Sequence, residues 1–247
     1  MTAPDTAVVV TGAASGIGWG IASLLLSRGT GVVAVDRNAD RLAQLAREHD
    51  GRPLSTVEAD LGSGAGCAAA LAAIEATGRP ISGLVNNAGI GTTSPYLESD
   101  YETARTAMAV NVLAGMELTR GLLPGMIARG GGSVVNISSI AAHLGGGIFG
   151  DTTYAASKGA VLSFTRGIAR EFGPAGIRCN SVAPGAVITP MNEHLADQHG
   201  ERVRGMVPLG RLGTVEDIAA TVAFLLSDEA AYISGSTFTV DGGMSRP

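Results

Sequence analysis

Thr11-Gly12-Ala13-Ala14-Ser15-Gly16-Ile17-Gly18 follows directly on the β-branched run Ala7–Val10 and opens a helical pattern over 16–28. Glycines at this junction let the backbone turn sharply and approach a pyrophosphate, while the helix start offers free N–H groups to the anion. The spacing is Gly-x-x-x-Gly-x-Gly rather than the Gly-x-Gly-x-x-Gly of the familiar dinucleotide fingerprint. In a chain with 36 glycines, about twice ordinary usage, such a pattern says little alone. Its place after the first strand is what makes it informative, because a plain strand–helix turn needs fewer glycines.

Outward from that turn, short apolar runs alternate with helical stretches. Ala7–Val10, Gly31–Val35, Leu54–Ala59, Ile81–Val85, Ser133–Ile137, Ile177–Val182 and Thr237–Val240 read as strands, several apolar throughout as expected when both faces are covered. Helical periodicity falls near 16–28, 38–49, 64–77, 99–129, 154–172 and 214–227. Repeated strand–helix alternation predicts a doubly wound α/β fold, a seven-stranded parallel sheet with helices on both faces. No linker or repeat divides residues 1–247, so a single domain is expected. Ala141–Asp151, with its run Gly145–Gly147, and Ala186–Val207, with Pro190 and two histidines, break the rhythm as irregular segments. Both follow strand ends, where open α/β sheets bind ligands. They are therefore expected to form the substrate loop (141–151) and a lid (186–207).

Composition narrows the function classes. Of 247 residues, 45% are hydrophobic and 16% charged, which describes a globular chain with a sizeable core. The net charge of −5 and the lack of Lys/Arg runs argue against nucleic acid or an anionic membrane surface as partner. Cys67 and Cys179 are too few for a disulfide framework or metal cluster, so no metal is expected and both read as reduced packing residues. Met1–Thr6 lacks the features of a signal peptide, and no apolar run reaches spanning length. A soluble, cytoplasmic protein is the expectation.

Asp36 ends the second strand, where a carboxylate can accept hydrogen bonds from an adenosine ribose and repel a 2′-phosphate. That favours NAD over NADP as cofactor. A guanidinium at Arg37 could still receive a phosphate, and Asp36 could instead cap the helix beginning near Asn38. Tyr154 and Lys158 lie four residues apart, on one face of a helix. A phenol with a reference pKa of about 10 needs roughly 4 kcal/mol of differential stabilisation to titrate near 7, and an adjacent ammonium is a sensible source.

With these residues in hand, the chain resembles the short-chain dehydrogenase/reductase family, of the classical type, along nearly its whole length. The resemblance rests on Thr11–Gly18, Asp60-Leu61, Asn86-Asn87-Ala88-Gly89, Asn111, Ser138-Ser139, Tyr154-x-x-x-Lys158, Pro184-Gly185 and Val240-Asp241-Gly242-Gly243, in that order. It implies a Rossmann-type fold and an NAD(P)-dependent oxidoreductase. Tyr154 would be general acid in reduction and general base in oxidation. Lys158 would lower its pKa and hold the nicotinamide ribose, and Ser139 would hold the substrate oxygen. Asn111 would hold a relay water. Gly12, Ser15, Gly16, Ile17 and Gly18 would cradle the phosphates, with Asp60 and Leu61 flanking adenine and Asn87, Ala88 and Gly89 the adenosine side. Pro184, Gly185, Val187 and Thr189 would face the nicotinamide end. Each position also has an ordinary structural role: Ser139 can end a strand, Asn111 can pack in mid-helix, and Thr189 can cap a helix.

Ser139 and Tyr154 stand further apart in sequence than is usual in the family, which leaves the loop between them undetermined. Trp19 is expected to pack on the outside of the first helix. The side chains expected around the substrate are His143, Leu144, Ile148, Phe149, Met191, His194, Leu195 and Met206. Most are apolar, and no cluster of Arg or Lys is positioned there for a carboxylate or phosphate. The expected substrate is therefore a small, largely apolar secondary alcohol or ketone. An NADPH-dependent 3-oxoacyl-carrier-protein reductase and a catalytically silent dinucleotide sensor are the alternatives. The resemblance also implies a homotetramer, with helices 99–129 and 154–172 packing between subunits through Ala155, Ala156, Gly159 and Ala160.

Overall fold

The computed structural model describes residues 6–147, 150–189 and 193–245, and for 193–199 the backbone alone. Seven parallel strands form one sheet in the order β3-β2-β1-β4-β5-β6-β7. They are β1 Ala7–Thr11, β2 Gly31–Asp36, β3 Leu54–Glu58, β4 Ile81–Asn86, β5 Gly132–Ile137, β6 Ile177–Pro184 and β7 Thr237–Val240. Chain order reverses between β1 and β4, and a crevice opens at such a reversal on the carboxyl side of the strands. The expected fold class, seven strands and all, is the observed one.

Helices cover both faces: α1 Gly16–Ser27, α2 Ala39–Glu48, α3 Gly64–Ala76, α4 Tyr101–Met108, α5 Ala114–Ala128, α6 Ala141–Leu144, α7 Thr152–Phe172, α8 Glu193–Met206 and α9 Val215–Leu226. Alternate residues of β1 sort to opposite faces, as strand geometry requires. Val8 and Val10 pack with Ile21, Leu25 and Leu26 of α1 and with Ile218, Val222 and Leu225 of α9. Ala7 and Val9 pack with Ile74 of α3, Leu118 and Met126 of α5 and Ile177 of β6. Two apolar cores on either side of the sheet therefore fix its position from both faces. Trp19 packs against the first core, and the Arg41 guanidinium lies 4.9 Å from its ring centroid.

Three local expectations need correction. The helix expected over 99–129 is α4 and α5 joined by a π turn at Ala109–Leu113, whose wider ring places Asn111 in the distortion. The segment 186–207 is not irregular throughout, since α8 occupies 193–206; Pro190, Gly200 and Gly205 obscure its periodicity in the sequence. Helix α7 begins two residues ahead of Tyr154, with Asp151 accepting the Tyr154 N–H at 2.8 Å as its N-cap. Both cysteines are buried free thiols, and burial pushes Cys179 up to about 12, which suits packing rather than nucleophilic chemistry.

Candidate active site

A cavity of about 760 Å³ runs along the carboxyl edge of the sheet, from Asp36 and Arg37 at one end to Thr189, Met206 and Met244 at the other. That is the size of a small-molecule site. Gly12, Ser15, Gly16 and Ile17 form part of its wall beneath β1. Gly18 lies behind them, where a Cβ would stand 2.1 Å from the Gly12 carbonyl oxygen, so only glycine permits the turn to close on α1. Asn87 locks the turn from β4 by donating to the carbonyls of Thr11 and Gly12 at 2.9 and 3.3 Å. The Thr11 hydroxyl in return accepts the N–H groups of Asn87 and Ala88 at 3.0 and 2.9 Å.

The N-terminus of α1 opens into this cavity without a side-chain cap. Ser15 occupies the cap position in extended conformation, yet its hydroxyl makes no capping bond, and the first turn carries no acid. By contrast α2, α3, α4, α7 and α9 are capped by Asn38, Ser63, Asp100, Asp151 and Thr214. Uncapped N–H groups at a helix start are an anion site.

Asp36 accepts the N–H of Ala14 at 3.0 Å and that of Asn38 at 3.0 Å. It does not cap α2, because Asn38 does so through the N–H of Arg41. Asp36, Arg37, Asp60 and Leu61 all line the same end of the cavity.

Over β4, β5 and β6 the cavity wall changes character. Ser138 and Ser139 both line the cavity; the Ser138 hydroxyl is committed to the Lys158 carbonyl at 2.9 Å, whereas Ser139 accepts the Ala141 N–H at 3.1 Å and shares the cavity wall with Tyr154. The Lys158 ammonium is buried and donates to the Ile137 carbonyl at 2.9 Å. Asn111 uses both amide hydrogens, on the Ile90 carbonyl at 3.0 Å and Ser157 Oγ at 2.9 Å, and accepts the Ile90 N–H at 2.8 Å. Its amide thus clasps the strand β4 loop to α7, and those two hydrogens are not free to hold a relay water. Gly89 passes beside it, where a Cβ would stand 3.1 Å from Asn111 Oδ1 and 3.4 Å from Lys158 Nζ.

The loop ahead of Tyr154 is described up to Gly147 and again from Gly150. Gly145 ends α6 in the left-handed conformation, Gly147 pairs with Gly150, and Asp151 binds Thr92 Oγ1 at 2.6 Å. At Gly150 a Cβ would meet the Tyr154 ring at 2.4 Å, so this glycine lets the loop lie flat against the phenol.

Burial raises the Tyr154 pKa above its ordinary value, and the nearby Ser139 side chain recovers part of that. Burial also lowers Lys158 to about 8. The expected drop of Tyr154 toward 7 is therefore not present in the protein chain alone. Lys158 sits 5.7 Å from the ring centroid with its ammonium turned to Ile137, and desolvation of the phenolate outweighs what Ser139 returns.

Pro184, Gly185, Val187 and Thr189 line the far end of the cavity, where Val187 bridges to Gly213. His143 does not line it; this residue is exposed on α6, and its neighbours Ile140, Ala141 and Leu144 form the wall instead. Phe149 and Met191, with Ile148, lie outside the described residues. The His194 and Leu195 side chains do too, although both positions fall within α8. Arg202 and Met244 are wall residues that sequence reasoning missed. Arg202 and Met206 are four apart, one face of a helix. Had 193–206 been read as a helix, that pairing would have been visible.

A family model described as "Enoyl-(Acyl carrier protein) reductase" matches residues 12–245. The (3R)-3-hydroxyacyl-CoA dehydrogenase of Mus musculus is 37% identical over 96% of this chain and 95% of its own. Among solved structures, an oxidoreductase of the short-chain dehydrogenase/reductase family from Burkholderia thailandensis is 30% identical with a TM-score of 0.88, covering 97% of this chain and 92% of that one. The chain belongs to the short-chain dehydrogenase/reductase family. L-Sorbose reductase from Gluconobacter frateurii, complexed with NADPH and L-sorbose, is likewise similar: 31% identity, TM-score 0.90, and coverage of 98% and 97%. Membership makes this protein a dinucleotide-binding oxidoreductase acting on the CH–OH group. Its own geometry fits such a cofactor, through the uncapped start of α1, the crowded glycine turn and the length of the cavity.

Proposed function

We propose that this oxidoreductase interconverts a small secondary alcohol and its ketone, using NAD(H) in preference to NADP(H), with Tyr154 as the proton-transfer group. The observation that carries the proposal is the placement of Ser139 and Tyr154 on the wall of one cavity, with the buried Lys158 ammonium 5.7 Å from the Tyr154 ring centroid. In oxidation the Tyr154 oxygen takes the carbinol proton while Ser139 donates to the substrate oxygen and holds it in place. In reduction Tyr154 returns that proton. Lys158 supplies positive charge behind the phenol, and Asn111 positions Lys158 by fastening α7 to the loop after β4. The bound dinucleotide supplies the hydride acceptor or donor, with its positive oxidised ring favouring the phenolate. Gly12, Ser15, Gly16 and Ile17 hold its phosphates, with Gly18 behind them letting the turn close; Asp60, Leu61, Asn87, Ala88 and Gly89 hold its adenosine half, and Pro184, Gly185, Val187 and Thr189 its nicotinamide half.

The preference for NAD rests on Asp36, whose carboxylate stands in the cavity where a 2′-phosphate would meet it. One observation favours the alternative, an NADPH-dependent reductase: Arg37 lines the same end. Titration with NADH and NADPH, read by nucleotide fluorescence, separates them. Tighter NADH binding supports the role given to Asp36, and tighter NADPH binding transfers selection to Arg37. Oxidation of secondary alcohols in the presence of the tighter coenzyme then tests the reaction itself. A protein that binds both and turns over neither would be the silent sensor.

The loop 141–151 and the lid 186–207 complete the substrate end in this proposal. No helix among the described residues is long and apolar enough to cross a membrane. A homotetramer is proposed through α4, α5 and α7, where Met108, Leu113 and Met116 are exposed. Ala155 cannot contribute to such an interface as expected, because it is buried within the subunit; Ala156 is exposed, and Gly159 and Ala160 are half-buried. Sedimentation as a monomer would remove this part of the proposal.

A further inference from the structure

Arg202 is a cation in the substrate end of the cavity, and its setting differs from that of the arginines nearby. Arg204 pairs with Glu201 at 2.7 Å, and Arg211 pairs with Asp217 at 2.6 Å. Among the described residues no carboxylate or carbonyl receives the Arg202 guanidinium. One turn away along α8 stand Gln198, His199, Gly205 and Met206, none of them acidic. Among the described residues, the carboxylates that line the cavity are Asp36 and Asp60, both at the opposite end. Met206, one turn along α8, lines the cavity with it, and Leu144 and Met244 are further apolar lining residues.

We infer that Arg202 recognises an anion on the substrate, so that the preferred substrate is a secondary alcohol or ketone whose far end carries a small oxyanion. This rests on the reaction proposed above and refines its substrate class: an apolar middle beside Tyr154, and a charged terminus. A guanidinium offers a planar fork of donors that suits carboxylate, sulfonate and phosphate oxygens. The Arg202 guanidinium is exposed and, among the described residues, unpaired, so an oxyanion entering the cavity meets a cation whose only partner is water. The cofactor's phosphates are the competing occupant. They belong at the glycine turn after β1, whereas α8 follows β6, three strands along the sheet.

The test compares kcat/KM for 4-hydroxypentanoate and 5-hydroxyhexanoate with that for their methyl esters, in the wild type and in Arg202→Gln, Arg202→Lys and Arg204→Gln. Sulfonate and phosphate analogues of matched length identify which oxyanion is preferred. The wild type is expected to favour the acids over the esters by about tenfold or more, and Arg202→Gln to collapse that ratio toward one. Arg202→Lys should retain part of it and Arg204→Gln all of it. A wild-type preference for the esters, or a ratio untouched by Arg202→Gln, overturns the inference. So does a loss of NADH affinity in Arg202→Gln as large as the loss with the acids, since Arg202 would then serve the cofactor. Binding of hexanoate against hexanamide to the NADH complex, followed by nucleotide fluorescence, gives a second readout. If no alcohol is turned over with either coenzyme, the proposed reaction fails; Arg202-dependent preference for hexanoate then still upholds the anion site, and its absence removes both.

Discussion

The two halves of the cavity are built differently. Under the glycine turn, backbone is tied to backbone through side chains. Asn87 and Thr11 join β1 to the loop after β4, and Asp36 receives Ala14 while Arg41 donates to the Ala14 carbonyl at 3.2 Å. Over β5 and β6 the reacting groups are equally well anchored, but the walls around them are not. Leu144 is 54% exposed and Met206 49%, and α6 is a single turn. A rigid half suits a ligand common to a whole family, and a loosely walled half can be re-lined for a different substrate without disturbing the first. The proposed proton-transfer group sits at the boundary between them, on α7, whose start is fixed by Asp151 and whose interior is fixed by Ser138 and Asn111.

Substitutions that respect this division should separate binding from turnover. The largest effect is expected for Tyr154→Phe, which removes the proton-transfer oxygen and little volume. Its kcat should fall by about 10²- to 10⁴-fold, while the NADH dissociation constant measured by fluorescence moves less than about threefold. Parallel losses in both would show that the halves are not separable.

Gly18→Ala attacks the rigid half. A methyl group at 2.1 Å from the Gly12 carbonyl forces the turn open. Stability by urea unfolding should drop by about 1–3 kcal/mol, and NADH affinity should fall with it. Normal affinity for NADH would mean that the turn does not form the phosphate cradle. A smaller change is expected for Asp36→Ala, which should weaken NADH by about tenfold and improve NADPH relative to it. An unchanged ratio in paired titrations would leave Asp36 as a structural acceptor for Ala14 alone.

The last expected effect is a pH dependence, gradual across its window. Lys158 is lowered to about 8 in the folded protein, against an ordinary value near 10.5, so between these pH values the unfolded chain binds more protons. Stability attributable to this group therefore rises with pH across that window, by at most about 1.4 kcal/mol per unit, and is constant below it. Burial raises Tyr154 and Cys179, which acts in the opposite direction at higher pH. The comparison to make is thus wild type against Lys158→Met, by urea unfolding from pH 7 to 10. The difference should shift in favour of the wild type as pH rises; a flat difference would mean that Lys158 is not desolvated.

How much of this was legible in the sequence follows the same division. All seven strands and the rigid half were readable, because a β-branched run, a crowded glycine turn and a strand-ending Asp36 are local signals. Ser139, Tyr154 and Lys158 were readable through spacing and family resemblance. What was not legible depends on tertiary context. The protonation state of Tyr154 is set by burial, which no spacing reveals. The π turn around Asn111 adds one residue to a ring inside an otherwise regular helical pattern. Arg202 was overlooked because Pro190 and two glycines concealed α8, so a residue of the helix face was read as part of an irregular lid.

The central claim is direct hydride movement between the carbinol carbon and the nicotinamide at the Tyr154 site. It is tested most directly with a secondary alcohol deuterated at that carbon, oxidised by the wild type with NAD⁺ and followed by proton NMR. The account predicts one deuterium on the reduced nicotinamide ring for each ketone formed, and almost no product from Tyr154→Phe. Loss of the deuterium to solvent, or undiminished transfer in Tyr154→Phe, would contradict it.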